Sequence, residues 1–301
     1  MAYTLEELSG RDKKHLVQLA KPIEKLKGYL KFPVYVSEKY DGVYCIAYYD
    51  GNDVTIYSRT GEVYTSMKHI EEHLKLMMLQ HNFVIFEAYC PGVVQATISG
   101  WCRDTKGQHM KLRAYLHDYL TIGEFRGEED TPYSERLLAL RGQWYDYAMD
   151  AGTPCNLLLV KQIQMYDKKS IFDLAKEKWA NGKEGLVVRQ DTPYEGGKRN
   201  FNILKVKQGV SYDLKVISLE EGKGKYKGMV GKLVCRWKDD KVIKVGSGLS
   251  DAQRKLWWSE FNYDEILGKI VQIDAMTLSS KGVLREPRFK GIRYDKTKGD
   301  F

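Results

Sequence analysis

Leu5, Leu8, Leu16, Leu19 and Ile23 recur at three- and four-residue steps, which predicts helix through the first thirty residues, up to the extended Phe32-Pro33 pair. The period then shortens to two. Residues 34–36 and 44–49 read as strands, Asp50-Gly51-Asn52-Asp53 as a hairpin turn, and 54–58 as the antiparallel continuation. An amphipathic helix is predicted at 67–79, apolar strands at 83–88 and 113–120, and a helix at 134–149 capped by Ser134. Residues 157–164 read as a strand and 170–180 as a helix closed by Asn181-Gly182, after which 185–188 and 202–206 return to the sheet. The pattern describes an α+β domain whose polar clusters fall at strand ends and turns.

Beyond Gln208-Gly209 the texture changes to short strands with glycine turns, at 214–219, 232–237, 241–245 and 270–276. Such spacing suits a small Greek-key barrel of the OB type. Two domains are therefore expected, 1–209 and 210–301. Neither an internal repeat nor a low-complexity tract is visible.

Composition narrows the class. A chain of 301 residues, 43% hydrophobic and 29% charged, is that of a globular protein. No apolar run approaches the roughly 18 to 20 residues of a spanning helix, and the first residues lack a signal peptide's apolar core, so a cytoplasmic protein is expected, in host cytoplasm if viral. The five cysteines, Cys45, Cys90, Cys102, Cys155 and Cys235, form no CxxC pair and read as buried small apolar groups. The net charge of +8 is uneven: residues 210–301 hold 19 Lys and Arg against 13 Asp and Glu. A basic excess favours a polyanion through phosphate contacts.

Five polar clusters carry the candidate chemistry. In Ser37-Glu38-Lys39-Tyr40-Asp41-Gly42, Lys39 reads as a nucleophile toward phosphorus, whose amine must be neutral to attack, and nearby cations such as Lys205 and Lys207 are expected to favour that form. Gly42 is expected to allow a tight turn beside a nucleotide. Arg59, in Ser58-Arg59-Thr60-Gly61-Glu62, is suited to grip a phosphate. Glu87 interrupts the apolar run Phe83-Val84-Ile85-Phe86, where a charge needs a partner: an arginine, a ribose hydroxyl or a metal. Lys183-Glu184-Gly185 and Lys205-Val206-Lys207 put charge at strand ends, and the alternation of side chains sets both ammoniums of the latter on one face, needing an anion between them. Glu184 offers an oxygen ligand for a divalent metal.

Near the C-terminus Arg285, Arg288, Lys290, Arg293 and Lys296 interleave with Leu284, Phe289, Ile292 and Tyr294, so this basic stretch is expected to dock rather than trail. The loop holding Lys223, Lys225 and Lys227 only superficially resembles a phosphate loop, because Tyr226 stands where a Walker A glycine belongs before Gly231-Lys232. It reads instead as a lysine and glycine hairpin that touches a nucleic-acid backbone.

Together these segments resemble the ATP-dependent DNA ligases of the nucleotidyltransferase superfamily over residues 34 to 296. The ordered set is Lys39-x-Asp41-Gly42, Ser58-Arg59-Thr60-Gly61, Glu87, Glu184-Gly185, Lys205-x-Lys207 and Arg293-x-Asp295-Lys296, with Gly246-Ser247-Gly248 and Leu284-Arg285-Glu286-Pro287 similar to OB-domain signatures of the DNA-joining branch. The resemblance implies an adenylation domain with antiparallel sheets followed by an OB barrel. It implies a covalent phosphoramide between Lys39 and AMP, with Asp41 beside it in the catalytic set and Arg293 and Lys296 orienting the departing pyrophosphate. Glu87 and Glu184 would serve the metal, Mg²⁺ or Mn²⁺, and Glu87 also the nucleotide. Lys205 and Lys207 would meet the α-phosphate, His117 the adenine, and Arg59 both the nucleotide and the 5′-phosphate of a nick. AMP would pass to that 5′-phosphate before the 3′-hydroxyl displaces it.

The 38 residues ahead of Lys39 and the lack of a tetracysteine zinc site separate the chain from NAD-dependent ligases, so ATP is the implied cofactor, nicked duplex DNA the partner, and a monomer the expected state. Three positions depart from the family pattern: Tyr44 stands where many members carry arginine, Phe86 where glycine usually precedes the glutamate, and His117 where an aromatic commonly stacks on adenine. The alternatives are an RNA ligase, a GTP-dependent RNA capping guanylyltransferase, or a noncatalytic OB-containing nucleic-acid-binding protein.

Overall fold

In the computed structural model, residues 3–23, 26, 28–151, 156–259, 262–275, 277–279 and 282–301 are described. The chain divides into two compact units, Met1–Lys207 and Gln208–Phe301, against the expected division after residue 209. The first unit runs α1 (Leu5–Ser9), β1 (Lys21–Pro22), β2 (Val34–Glu38), β3 (Val43–Tyr49), β4 (Val54–Ser58), β5 (Val63–Tyr64), α2 (Lys68–Met77), β6 (Asn82–Tyr89) and α3 (Gln95–Arg103). It continues with β7 (Arg113–Thr121), α4 (Ile122–Arg126), α5 (Tyr133–Ala151), β8 (Leu157–Leu159), β9 (Ile163–Met165), α6 (Lys168–Ala180), β10 (Gly185–Gln190) and β11 (Ile203–Lys207). The second holds β12 (Val210–Glu221), β13 (Val230–Arg236), β14 (Val242–Val245), α7 (Asp251–Leu256), β15 (Ile270–Ala275), β16 (Thr277–Leu278), β17 (Leu284–Arg285) and β18 (Arg288–Ile292).

Two mainly antiparallel sheets build the first unit, one in the order β5-β4-β3-β6-β7-β8 and one in the order β1-β11-β10-β2-β9. The larger is apolar on both faces. Cys45, Ala47, Val84, Phe86 and Leu116 pack on α2, α3 and α5, whereas Ile46, Tyr48, Phe83 and Ile85 pack on Leu5, Leu8, Leu16, Val17 and Phe125. The smaller sheet turns Val34, Val36, Leu186, Val188, Leu204 and Val206 toward Ile171 and Ala175 of α6. Alternation leaves its opposite face to Val187, Arg189, Lys205 and Lys207, and that face lines the site.

The second unit has one core, to which Leu214, Leu233, Ile243, Val271 and Phe289 contribute from all five strands of the order β14-β13-β12-β15-β18, with Trp257 beside them. Among the described residues the two edges of this sheet meet only at an isolated parallel bridge, Ser247 to Arg288, so the expected barrel is an OB-like sheet without continuous closure. Gly248, at φ +93°, is required there, since a Cβ would lie 2.2 Å from the Phe289 carbonyl oxygen. The basic C-terminal stretch is docked, as β17 and β18.

Three expectations need correction. The N-terminal helix ends at Ser9, stopped by Gly10 in the left-handed region at φ 65°, and Leu16 and Val17 are buried from turns instead. Helix α5 begins at Tyr133, so Ser134 is not its cap; the Ser134 amide and hydroxyl both donate to Asp191, at 2.8 and 3.0 Å. The strand predicted at 157–164 is two strands in different sheets, β8 beside β7 and β9 beside β2. Helices α3, α4 and α7 were not predicted. Cys45, Cys90, Cys102 and Cys235 are free and buried, while Cys155 and Met276 lie outside the described residues. Among the described residues no helix is long and apolar enough to cross a membrane.

Candidate active site

Backbone pairing assembles the charged centre. Leu186 of β10 pairs with Glu38 of β2, and Gly185 pairs with Lys207 of β11, so the residues just past β2 and just before β10 meet at one sheet end. The Lys39 amide donates to the Gly185 carbonyl at 2.9 Å, and the Lys39 Nζ donates to Glu184 Oε2 at 2.8 Å. Lys207 Nζ holds the other carboxylate oxygen. Glu184 is thus the anion shared by Lys39 and Lys207, whereas the anion expected from the sequence was between Lys205 and Lys207. Gly185, at φ +146°, has no room for a side chain: a Cβ would stand 2.0 Å from the Val206 oxygen.

Lys39, Gly42, Arg59, Glu87, His117, Lys205 and Lys207 all line one cavity of about 500 Å³ between the two sheets. Gly42 matters for close packing rather than for a tight turn, because a Cβ would fall 2.5 Å from the Ala88 oxygen and 2.7 Å from Glu87 Cγ. Arg59 sits in the turn after β4 that the Ser58 and Glu62 backbones close at 2.7 Å, and it is exposed. Glu87 faces the cavity half-buried. Burial pushes its carboxyl up, Lys39 pulls it down, Glu184 and Asp41 push it up again, and the balance is about 7.

His117 is the unpaired residue of a β-bulge, since Ile85 pairs with Asp118 and Phe86 with Leu116. Arg189 Nη2 donates to its Nδ1 at 2.8 Å, and burial, then Arg189 and Lys39, hold the imidazole well below its ordinary pKa. The ring is therefore neutral, with its proton on Nε2.

Arg293, Lys296, Lys223, Lys225 and Lys227 belong to the second unit. There Arg293 donates to Asp213 at 2.9 Å and to Asp295 at 2.8 Å, and Lys296 donates to the same Asp213 at 2.5 Å. The three loop lysines are exposed around a 3₁₀ turn between β12 and β13, with the Lys225 ammonium 4.5 Å from the Tyr226 ring centroid.

Residues 14–207 match the family described as ATP dependent DNA ligase domain, and residues 221–293 match the DNA ligase OB-like domain. The chain belongs to the ATP-dependent DNA ligase family. A probable DNA ligase of Pseudarthrobacter chlorophenolicus is 25% identical over 293 residues, covering 88% of this chain and 55% of its own. The chain thus spans about half the length of the curated relatives it matches. Among solved structures, Pmar-Lig_Pre superposes with a TM-score of 0.77 at 25% identity, covering 92% of this chain and 67% of that one. A Lig E DNA ligase shares the fold at a TM-score of 0.72 and 20% identity, covering 92% and 98% of the two chains.

Sequence reasoning missed several groups in this ligase-family cavity: Gln18, Arg103, Arg189, Tyr194 and Arg199. The argument that singled out Glu87, a charge inside an apolar strand, applies equally to Arg189 after Leu186-Val187-Val188 and to Asp118 in β7. These two residues approach to 3.7 Å, and Asp118 also accepts from Arg136 at 3.0 and 3.2 Å. Among the described residues no three histidine, cysteine or carboxylate side chains gather for a metal. A Mg²⁺ carried by phosphates needs only one or two carboxylates, and Glu87, which lines the cavity, and Glu184, on the Lys39 ammonium, are the two that would supply them.

Proposed function

We propose that the chain is an ATP-dependent DNA ligase that joins 5′-phosphate and 3′-hydroxyl ends at nicks in duplex DNA. The observation that carries this reading is the Lys39–Glu184–Lys207 centre at a cavity also lined by the cations Lys205, Arg59, Arg103, Arg189 and Arg199. In the first step Lys39 Nζ, freed of a proton, forms a bond to the α-phosphorus, and the bond from that phosphorus to pyrophosphate breaks. Lys205 and Lys207 neutralise the α-phosphate, and Arg293 and Lys296 exchange Asp213 for the pyrophosphate. A 5′-phosphate oxygen, positioned by Arg59, then takes AMP from Lys39. Attack by the 3′-hydroxyl releases AMP and closes the strand.

Phosphoryl transfer of this kind rests on positioning and charge neutralisation. Bound Mg²⁺ or Mn²⁺ would add positive charge at the phosphates, held by Glu87 and Glu184. The lysines Lys223, Lys225 and Lys227 supply backbone contacts to DNA, and the protein acts as a cytoplasmic monomer. Sealing of a nicked duplex with ATP and Mg²⁺, with GTP and NAD as controls and a nicked RNA duplex beside it, tests the reading. Sealing of DNA with ATP alone is expected. A guanylated protein formed with GTP, or sealing confined to RNA, overturns it.

A further inference from the structure

The cavity is lined by two chemically unlike sets of side chains. Cations including Lys39, Lys205, Lys207 and Arg59 suit phosphates, whereas Leu19, Tyr44, Ile85, His117, Val187 and Tyr194 give apolar and aromatic walls suited to a nucleobase. Gln18 lies with the second set. It is 5% exposed, its backbone amide donates to the Tyr194 hydroxyl at 3.1 Å, Tyr194 is hydrogen-bonded to Tyr44, and the Tyr44 ring lies 6.2 Å from His117. Its side-chain Nε2 has no hydrogen-bond partner.

A buried amide hydrogen without an acceptor is costly, and Gln18 is one of the residues that line the cavity. Leu16 and Val17 beside it are core residues, so the amide is a polar exception in an apolar stretch. We propose that Gln18 reads the edge of the adenine base, donating to a ring nitrogen and accepting from the exocyclic amine. An amide is the side chain that offers a donor and an acceptor side by side, matching the amine and adjacent ring nitrogen of adenine. A purine lacking the amine presents only half of that pair. The neutral His117, held through Nδ1 by Arg189, supplies an uncharged ring against the same base.

This inference rests on the ATP reaction proposed above. The test compares ATP with purine riboside triphosphate, which lacks the amine, in formation of the lysyl-nucleotide by the full chain. The parent protein is expected to favour ATP by about 10- to 100-fold in kcat/KM. Gln18→Met, of similar length and without the amide, is expected to bring that ratio to within about threefold of unity, mainly through the KM for ATP. The ratio is measured within one protein, so it does not depend on the folded fraction. Gln18→Asn, which keeps an amide on a shorter stem, is expected to retain part of the preference. If Gln18→Met slows both nucleotides equally and leaves the ratio at the parent value, the residue only packs and the inference is overturned. Absence of any adduct with ATP overturns the ligase reading and this inference with it.

Discussion

One carboxylate lies between two ammoniums, Glu184 between Lys39 and Lys207, and in the proposed reaction a phosphate competes with it for both cations. Its neighbour Glu87 has no such pairing, and its carboxyl is raised from the ordinary 4.5 to about 7 by burial and by Glu184 and Asp41, against Lys39 and the Gly42 amide. A raised carboxyl pKa means that the folded state prefers the protonated form. The stability it contributes is complete below the unfolded pKa and is lost as pH rises through about 7. Glu87→Gln removes this loss. In metal-free buffer at about pH 8 the variant should be more stable than the parent by on the order of 1–2 kcal/mol, allowing for solvent screening. Urea titrations across pH check this, and a variant with the parent's pH slope contradicts it.

At the level of elements, α5 shows how a terminus can be capped from far along the chain. Asp191, between β10 and β11, takes both the amide and the hydroxyl of Ser134. Asp191→Ala should therefore cost about 1 kcal/mol, whereas Ser134→Ala should cost less than half of that, by urea unfolding. The reverse order would restore the serine to the role its position in sequence suggested.

The same distinction marks what could be read from the chain. Strands β3, β4, β6 and β7 were readable because alternation and turn residues are local signals. The two halves of 157–164 were both extended, but which sheet each joins is decided by partners far away in sequence. Leu16 was recognisable as buried, yet a looped segment covers a sheet face as well as a helix does. Helix α3 buries only Ile98 and Cys102, too few to print a period. At the site, charges at strand ends announced Lys39, Glu184, Lys205 and Lys207. Gln18 did not announce itself, because one uncharged amide between Leu16-Val17 and Leu19-Ala20 carries no signal until its surroundings are known.

Across the whole molecule, the two units hold their cations differently. The first gathers its cations around a cavity, while the second keeps Arg293 and Lys296 on Asp213. In the reaction proposed above, two transfers, AMP onto the protein and AMP onto the 5′-phosphate, pass through the nitrogen of Lys39. The decisive measurement is peptide mass mapping of the full chain after incubation with ATP and Mg²⁺ and denaturing quench. One AMP on the peptide containing Lys39, absent from Lys39→Ala, is the predicted result. No gain in mass, or a gain on another side chain that survives Lys39→Ala, would contradict the account.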